Sequence, residues 1–596
     1  MARHFRFTLQ FAEKSWECGR LACSSALNVR ALREERARRP RSQDFFPATS
    51  RWPLATALLL VTCHLSLVTA LRAQTFPAPD YFHQFIHPAP APAHIKGPEG
   101  LHDYVVDGKL RLTLRDAVRL ALVNNTDVRV DQLQIENAEY SVLGAYAPFD
   151  PQTLTTYSSQ RTLSPATSQL QGAPTVSNLG QNYSSTYSQI FETGTNLNIG
   201  FTASKDTTNS SFFFINPYLS AGLTLQFTQP LLRNRGLFPN RAPIVIAQRS
   251  LAQSRDTFEA QVSTALENVI FQYWQVVLAR ESLRVAQSSL DQAQKSYEHD
   301  KRALELGALP PLNIYQSESQ TAQRRVQVIQ QEYALKQAED AFRPLVGADL
   351  DPFIRVLDLD LVEDPDPKGE LLTVDAKTAL DQALKHRPEL RALEKQLQND
   401  NTSLRLVHNL LLPDLELNGL YASNGIGGNE LTTTTPPVLI PGGFSNALGQ
   451  LWGFNYPTYG FTLSLNLPIR NRSAEARLGQ ASVQKRTDLY QLRRQNQSIG
   501  LDVVSSVHQL EQAKLSLEAA KISRDLAQKN LEAEQRKYEL GSEQIQFVLQ
   551  AQTDLATAES GLVQAQVGYQ MAVAALDHAT GDLLDHQHVQ LSNLTH

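Results

Sequence analysis

Histidines, cysteines and paired acidic residues are the side chains from which catalysis or metal binding would be built, and in this chain they do not converge. All three cysteines, Cys18, Cys23 and Cys63, stand near the N-terminus. His83 and His87 are four apart, which on a helix would put both imidazoles on one face. Pro77, Pro79, Pro88, Pro90 and Pro92 argue against a helix there, so the pair reads as part of a solvated tail rather than a metal site. His386, His408, His508 and His578 share no ligand spacing. There is no Walker loop, no dinucleotide fingerprint behind a strand and no His-Glu-x-x-His. The carboxylates are spread along helical stretches, where solvated faces account for them. The expectation is a protein that is not an enzyme and has no cofactor or metal.

Composition narrows the class. The 596 residues are 19% charged, with a mean hydropathy of -0.30. A helical multi-span membrane protein would need repeated apolar runs of about 20 residues. The net charge of -5 suggests no nucleic-acid partner. Arg51, the apolar run from Leu54 to Leu71 and the sequence Leu71-Arg72-Ala73 before Gln74 read as a signal peptide with its cleavage site. A membrane anchor is the alternative, for which the run is short. Cys63 lies inside the run with poor flanks for a lipoprotein cysteine. Residues 1–73 are thus expected to be an N-terminal extension with signal peptide, and 74–111 a Pro-rich linker. A chain cut there has no thiol, which suits the oxidising periplasm.

An internal repeat organises the rest, with halves at 112–346 and 372–582, an inter-repeat linker at 347–371 and a tail at 583–596. Each half opens with a Leu-Thr pair, at Leu112-Thr113 and Leu372-Thr373, then a short helix and a polar break. Each ends in a long helical hairpin. Ala279, Ala286 and Ala293 are seven apart in the first, and Ala513, Ala520 and Ala527 in the second. That period means helices packed at a shallow angle, and alanine lets them approach closely. Proline-free patterns from Ile244 to Leu306 and from Ala474 to Leu540 predict helices ~90–100 Å long. Gly307 and Gly541 sit where C′ glycines would stop them. Second helices return in each half, ending near Phe342 and near Leu576.

Between the short and long helices the period changes to two. Leu197, Ile199 and Phe201 alternate with polar residues or glycine, as do Leu223, Leu225 and Phe227, then Leu415 and Leu417, then Phe461, Leu463 and Leu465. Apolar on one face and Thr, Ser, Asn or Gln on the other suits a membrane barrel with a wet lumen. Tyr183, Tyr187, Phe191, Trp452, Tyr456 and Tyr459 would suit its aromatic girdles, and 161–182 and 423–450 its outer loops. The pattern gives about two strands per half, with room for an extra hairpin in the first. Membrane barrels need at least eight strands, so about four from one chain cannot close alone, and three chains would supply about twelve.

The tandem repeat, the joints Leu465-Asn466-Leu467-Pro468 and Phe227-Thr228-Gln229-Pro230, and the tip Tyr538-Glu539-Leu540-Gly541 with Phe547-Val548-Leu549-Gln550 together resemble the TolC-type outer-membrane efflux family over 112–582. The resemblance implies an α+β membrane protein: a homotrimer with a 12-stranded barrel in outer-membrane lipid and a periplasmic α-barrel built of long hairpins. It implies docking to a periplasmic adaptor and an inner-membrane transporter, in drug or metal efflux or type I secretion. Some members carry aspartate rings just after the tip. The corresponding positions here are Phe547 and Gln550, with Asn313 and Gln316 in the first half, so an acidic gate is not expected. Either Phe547 lines a partly apolar gate or it packs into the hairpin core. Leu306, Gly307, Leu309, Leu540, Gly541 and Ser542 are the expected adaptor-docking tips. The competing readings are a periplasm-spanning coiled-coil scaffold without a pore and a soluble sandwich with a helical stalk.

Overall fold

The computed structural model describes Ile95 and residues 97–306, 314–431 and 438–589. The signal peptide, both N-terminal histidines, all three cysteines, Gly307, Leu309, Asn313 and the tail after 589 lie outside the described residues. Everything described beyond Ile95 belongs to one compact unit. Chain order is β1 (Val105–Val106), β2 (Lys109–Leu112), α1 (Leu114–Asn124), α2 (Thr126–Gly144), then strands β3 (Gln152–Pro165), β4 (Thr175–Ile190), β5 (Asn196–Thr208) and β6 (Tyr218–Pro230). The hairpin α3 (Leu237–Glu305) and α4 (Ile314–Val346) completes the first half. After β7 (Asp358–Leu361), the second half runs α5 (Ala376–His386), α6 (Pro388–Asn409), β8 (Asp414–Gly427), β9 (Glu430–Leu431), β10 (Leu439–Ile440), α7 (Phe444–Trp452) and β11 (Pro457–Asn466). It closes with α8 (Arg472–Glu539), α9 (Ile545–Thr580) and α10 (Leu583–His586).

Local chemistry starts several of the helices where the sequence breaks. Thr113 caps α1: its hydroxyl accepts from the Asp116 N–H at 3.2 Å while the Asp116 carboxyl accepts from the Thr113 N–H. The Asn125 side chain does the same for α2, and Asp375 for α5. Pro388 opens α6, where a missing N–H costs nothing. The two long helices hold 69 and 68 residues, so each rises ~100 Å. Their observed limits fall within seven residues of the predicted ones, the largest difference being at the start of α3, where Pro239 and Pro243 sit in the opening turns.

Among the described residues, two large apolar cores hold the helices near a small sheet, β1-β2-β7, the first drawing on both repeats and the second on the second repeat alone. The first packs Val262, Leu266, Ile270, Tyr273 and Phe342 against Leu110, Leu112, Leu359 and Leu361 of that sheet. The expected inter-repeat linker therefore contributes a strand, β7 lying parallel to β2. The second core packs Ile499, Val503 and Leu510 of α8 against Ala379, Ala383, Tyr569 and Leu576.

Among the described residues the main sheet has six antiparallel strands in the order β11-β8-β6-β5-β4-β3. This corrects the count of about four. The four strands read from alternating hydropathy are β5, β6, β8 and β11. β3 and β4 were missed as strands, and most of the outer loop expected at 161–182 belongs to them. Their hydropathy does not alternate, because Thr, Ser and Gln populate both faces. The register puts Thr153, Tyr187, Ile199, Leu225, Tyr421 and Tyr459 in one cross-strand row. The predicted loop 423–450 likewise contains the end of β8, β9, β10 and most of α7. That short helix lies over the apolar face: Ala447 and Leu451 pack with Ala221, and the Ser423 hydroxyl donates to the Leu451 carbonyl at 2.9 Å. Gly425 and Gly427 allow this approach, since a Cβ at either would strike the α7 backbone or its lead-in.

Candidate functional site at the helix tips

The far end of the hairpins, opposite the sheet, is where the described ones among the expected site residues lie. α8 ends as predicted: Gly541 has φ 70°, its N–H donates to the Tyr538 carbonyl at 2.9 Å, and the Ser542 N–H donates to the Lys537 carbonyl at 3.0 Å. That pair of bonds is the glycine stop of a helix C-terminus. Leu306 and Leu540, at equivalent points of the two repeats, are 84% and 83% exposed. Ser542 is exposed beside them. These three are thus free surface within one protomer.

Of the gate positions, Gln316 is exposed. Gln550 is exposed and donates through Nε2 to Asp554 Oδ1 at 2.8 Å, one turn further on. Phe547 is 51% exposed. It stands outside the tip core, which consists of Leu531, Ile545, Val548, Ala551 and Leu555. Phe547, Gln550 and Asp554 therefore share a helix face that a protomer leaves open.

Sequence reasoning missed a buried polar network just above the tips. Asp300 of α3 is 0% exposed. Its carboxyl accepts from the Ser317 hydroxyl of α4 and, at 3.0 Å, from the Tyr538 hydroxyl of α8. The His299 ring lies 3.5 Å from the same carboxyl and edge-on to Tyr538. Burial, then the neighbouring Asp300, raises the Tyr538 hydroxyl to about 12, so it remains a donor at physiological pH. Two turns further along α4, buried Arg324 donates to the Thr553 hydroxyl of α9 at 2.6 Å, and burial lowers its pKa. Gln320 reaches the same hydroxyl at 3.1 Å, and Gln552 of α9 donates to Ser296 of α3 at 2.9 Å. All four long helices are thus tied across the repeat boundary by hydrogen bonds. One signal was available: the alanine seam at 279, 286 and 293 continues onto Asp300, and that at 513, 520 and 527 onto Glu534.

A buried acidic pair lies on α6 and α8, towards the sheet. Asp400 and Asp488 are both buried, and Gln396 donates to each. Burial, then the hydrogen bond and charge of Asp488, pushes Asp400 up to about 6. Among the described residues no group of three or more His, Cys, Asp or Glu could hold a metal ion, and no helix is long and apolar enough to cross a membrane.

Long hairpins repeated in tandem, below a sheet with one apolar face, match a known family at residues 117–348 and 379–582, the two repeats. The chain belongs to the outer membrane efflux protein family. It is an outer-membrane protein with a large periplasmic helical portion. Among solved structures, the Campylobacter jejuni CmeC outer membrane channel is similar, with a TM-score of 0.58 and 16% identity over 80% of this chain and 90% of that one. VceC of Vibrio cholerae gives 0.55 and 14% over 78% and 96%. The Neisseria gonorrhoeae MtrE channel gives 0.53 and 16% over 79% and 89%. At such identities these likenesses speak to fold alone. None of the curated protein sequences compared with the chain matches it.

Proposed function

We propose that the protein is the passive exit duct of a tripartite efflux or type I secretion system. Three copies share one wall, a periplasmic adaptor docks at the helix tips, and an inner-membrane transporter supplies the energy. One observation carries this reading: a protomer sets a sheet with an apolar face and two unpaired edges on helices ~100 Å long. In lipid each unpaired backbone group costs several kcal/mol, so such a sheet needs neighbours. A coiled-coil scaffold without a pore has no use for the apolar face. The polar network around Asp300 acts as the latch of the gate: opening the tips parts α3 and α4 from α8 and α9, and those bonds must break. The face carrying Phe547, Gln550 and Asp554 lines the constriction, with the counterpart positions Asn313 and Gln316. Leu306, Leu540, Gly541 and Ser542 meet the adaptor, together with Gly307 and Leu309. The similarity to channels, one of them crystallised in an open state, supports a duct whose tips move.

The test is reconstitution of the purified chain in planar bilayers, alongside fractionation of expressing cells. Discrete conductance steps from a trimeric species in the outer-membrane fraction are expected. A detergent-free, water-soluble monomer without conductance would overturn the reading.

A further inference from the structure

Six strands per protomer change the barrel. We propose that three copies close a wall of eighteen strands rather than twelve, with β3 of each pairing with β11 of the next. The inference rests on the duct reading. Its grounds are the edges of the sheet, the way the additional hairpin is fixed, and the chemistry of its faces.

The two edges are complementary. β3 and β11 are exposed along almost their whole lengths, 14 and 10 residues. Six strands alternating in direction leave the edge strands antiparallel to each other. Copies related by rotation therefore meet β3 against β11 in the antiparallel sense, and the ring closes without a parallel seam.

The additional hairpin is built into the frame. β4 pairs with β5 from Asn178 to Ile190 without a break. The turn between them is clamped to the joint where β6 enters α3. There the Gly236 N–H donates to the Thr193 carbonyl at 3.2 Å, Thr195 donates to the Gln229 side chain, and Arg241 lies 3.6 Å from Glu192. Gly194, at φ 86°, packs so tightly that a Cβ would come within 2.8 Å of the Asn234 carbonyl. At the start of β3, Tyr146 accepts from Gln248 of α3 at 3.3 Å. A strand pair pinned at its base to the long helix is wall.

The face that β3 and β4 share with Ile199 and Leu225 is richer in hydroxyls than apolar groups, and many of them bond sideways. Thr155 and Ser185 are 3.1 Å apart, Gln181 donates to the Tyr157 hydroxyl at 3.1 Å, and Tyr187 donates to Gln189 at 2.8 Å. Polar groups paired within the surface carry a much smaller cost in lipid than unpaired ones.

With strands ~4.8 Å apart and tilted ~40°, twelve make a wall ~24 Å across and eighteen one ~36 Å across. A bore half as wide again would not limit passage, which leaves selection of cargo to the tips.

Cysteine cross-linking tests this in the full chain carrying C18S, C23S and C63S. Thr156→Cys, Ser158→Cys and Gln160→Cys are each combined with Thr458→Cys, Thr462→Cys or Ser464→Cys, residues that register on the same face of the sheet. The scan covers the unknown register, since a disulfide needs Cβ atoms within ~4.5 Å. Oxidation is expected to give disulfide-linked trimers for at least one pairing. A comparison set joins Thr202→Cys or Ser204→Cys of β5 to the same β11 positions. Trimers from that set alone would mean a twelve-stranded wall, overturning the inference while leaving the duct intact. No cross-link from either set, with a monomer by mass in detergent, would overturn both. Electron-microscopy end views, about 1.5-fold wider than a twelve-stranded ring, check the count independently of any substitution.

Discussion

Tyr538→Phe removes one hydroxyl from the tip latch and leaves the ring in place. In the wild type Asp300 is fully buried and holds two hydroxyl donors on different helices, Ser317 of α4 and Tyr538 of α8 at 3.0 Å. Only the second joins the two repeats. Its loss leaves a buried acceptor short of a partner, a penalty of about 1–3 kcal/mol. On the proposed latch the penalty falls on the closed state, the one in which Asp300 is fully buried. Taking about 2 kcal/mol, the closed-to-open equilibrium of each protomer shifts about 30-fold towards open, at 1.4 kcal/mol per decade. Single-channel recording in planar bilayers reads this as a higher open fraction or larger steps at unchanged voltage. Thermal unfolding of the detergent-solubilised protein should move little, because the main apolar cores lie elsewhere. Lys537→Ala, which breaks the partly exposed Lys537–Glu534 pair one residue away, serves as control and should leave conductance unchanged. If Tyr538→Phe and Lys537→Ala behave alike, or if Tyr538→Phe lowers melting without changing conductance, the network is scaffold and the latch argument fails.

Asp400→Asn should stabilise the protein at pH 7.5. The folded carboxyl titrates near 6 against an unfolded value near 3.8, so the fold binds the extra proton between those limits and wild-type stability falls as pH rises through them. The expected gain is at most about 3 kcal/mol above pH 6, read by urea unfolding, and it should vanish below pH 4. His578 works in the opposite sense. Burial and then Arg387 lower it to about 4, so its 3.2 Å contact with Glu267 is a neutral N–H donating. Acid charges the unfolded imidazole first, and stability is lost as pH falls from 6.5 to 4. The loss is about 3 kcal/mol, offset in part because the carboxyls of Glu267 and Asp577 are raised. His578→Gln should flatten the melting curve between pH 7.5 and 5 relative to wild type; an unchanged slope would count against a buried neutral ring. Gly541→Ala meets open space, so only its φ of 70° is penalised, by about 1 kcal/mol. Its melting temperature should drop slightly, while adaptor binding, measured by surface resonance, should weaken more than that drop explains.

What could be read from the chain and what could not divides along physical lines. The helices were legible because their determinants are local and periodic. A seam of alanines seven apart, a capping Thr113 and a stopping Gly541 each act within one or two turns. β5, β6, β8 and β11 were legible because one face meets an apolar medium and the other does not. β3 and β4 have hydroxyls on both faces, so burial gives no alternation to read. The tip latch was hidden for another reason: Asp300 and Tyr538 are 238 residues apart and meet only because the two repeats pack side by side. Within each helix they are simply a polar residue on a seam and an aromatic in an apolar series. The expected gate positions were found by analogy of spacing, and among them Phe547 and Gln550 share an open helix face with Asp554.

The two repeats have diverged unequally, and the inequality has a direction. Their helices kept the same plan, with long elements of 69 and 68 residues and returns of 33 and 36. A tube of packed helices needs that equality, because each must present the same width to its neighbours over ~100 Å. The main sheet did not: of its described strands, four belong to the first half and two to the second. A barrel wall imposes no such equality. Hydrogen bonding along the ladder is indifferent to which repeat a strand comes from, provided each protomer contributes an even number so that its edges meet antiparallel. Adding one hairpin preserves evenness, and adding a single strand would not. The six-stranded sheet is therefore the smallest enlargement of a four-stranded one that still permits closure by identical copies. An even strand count is met by a hairpin and not by a single strand.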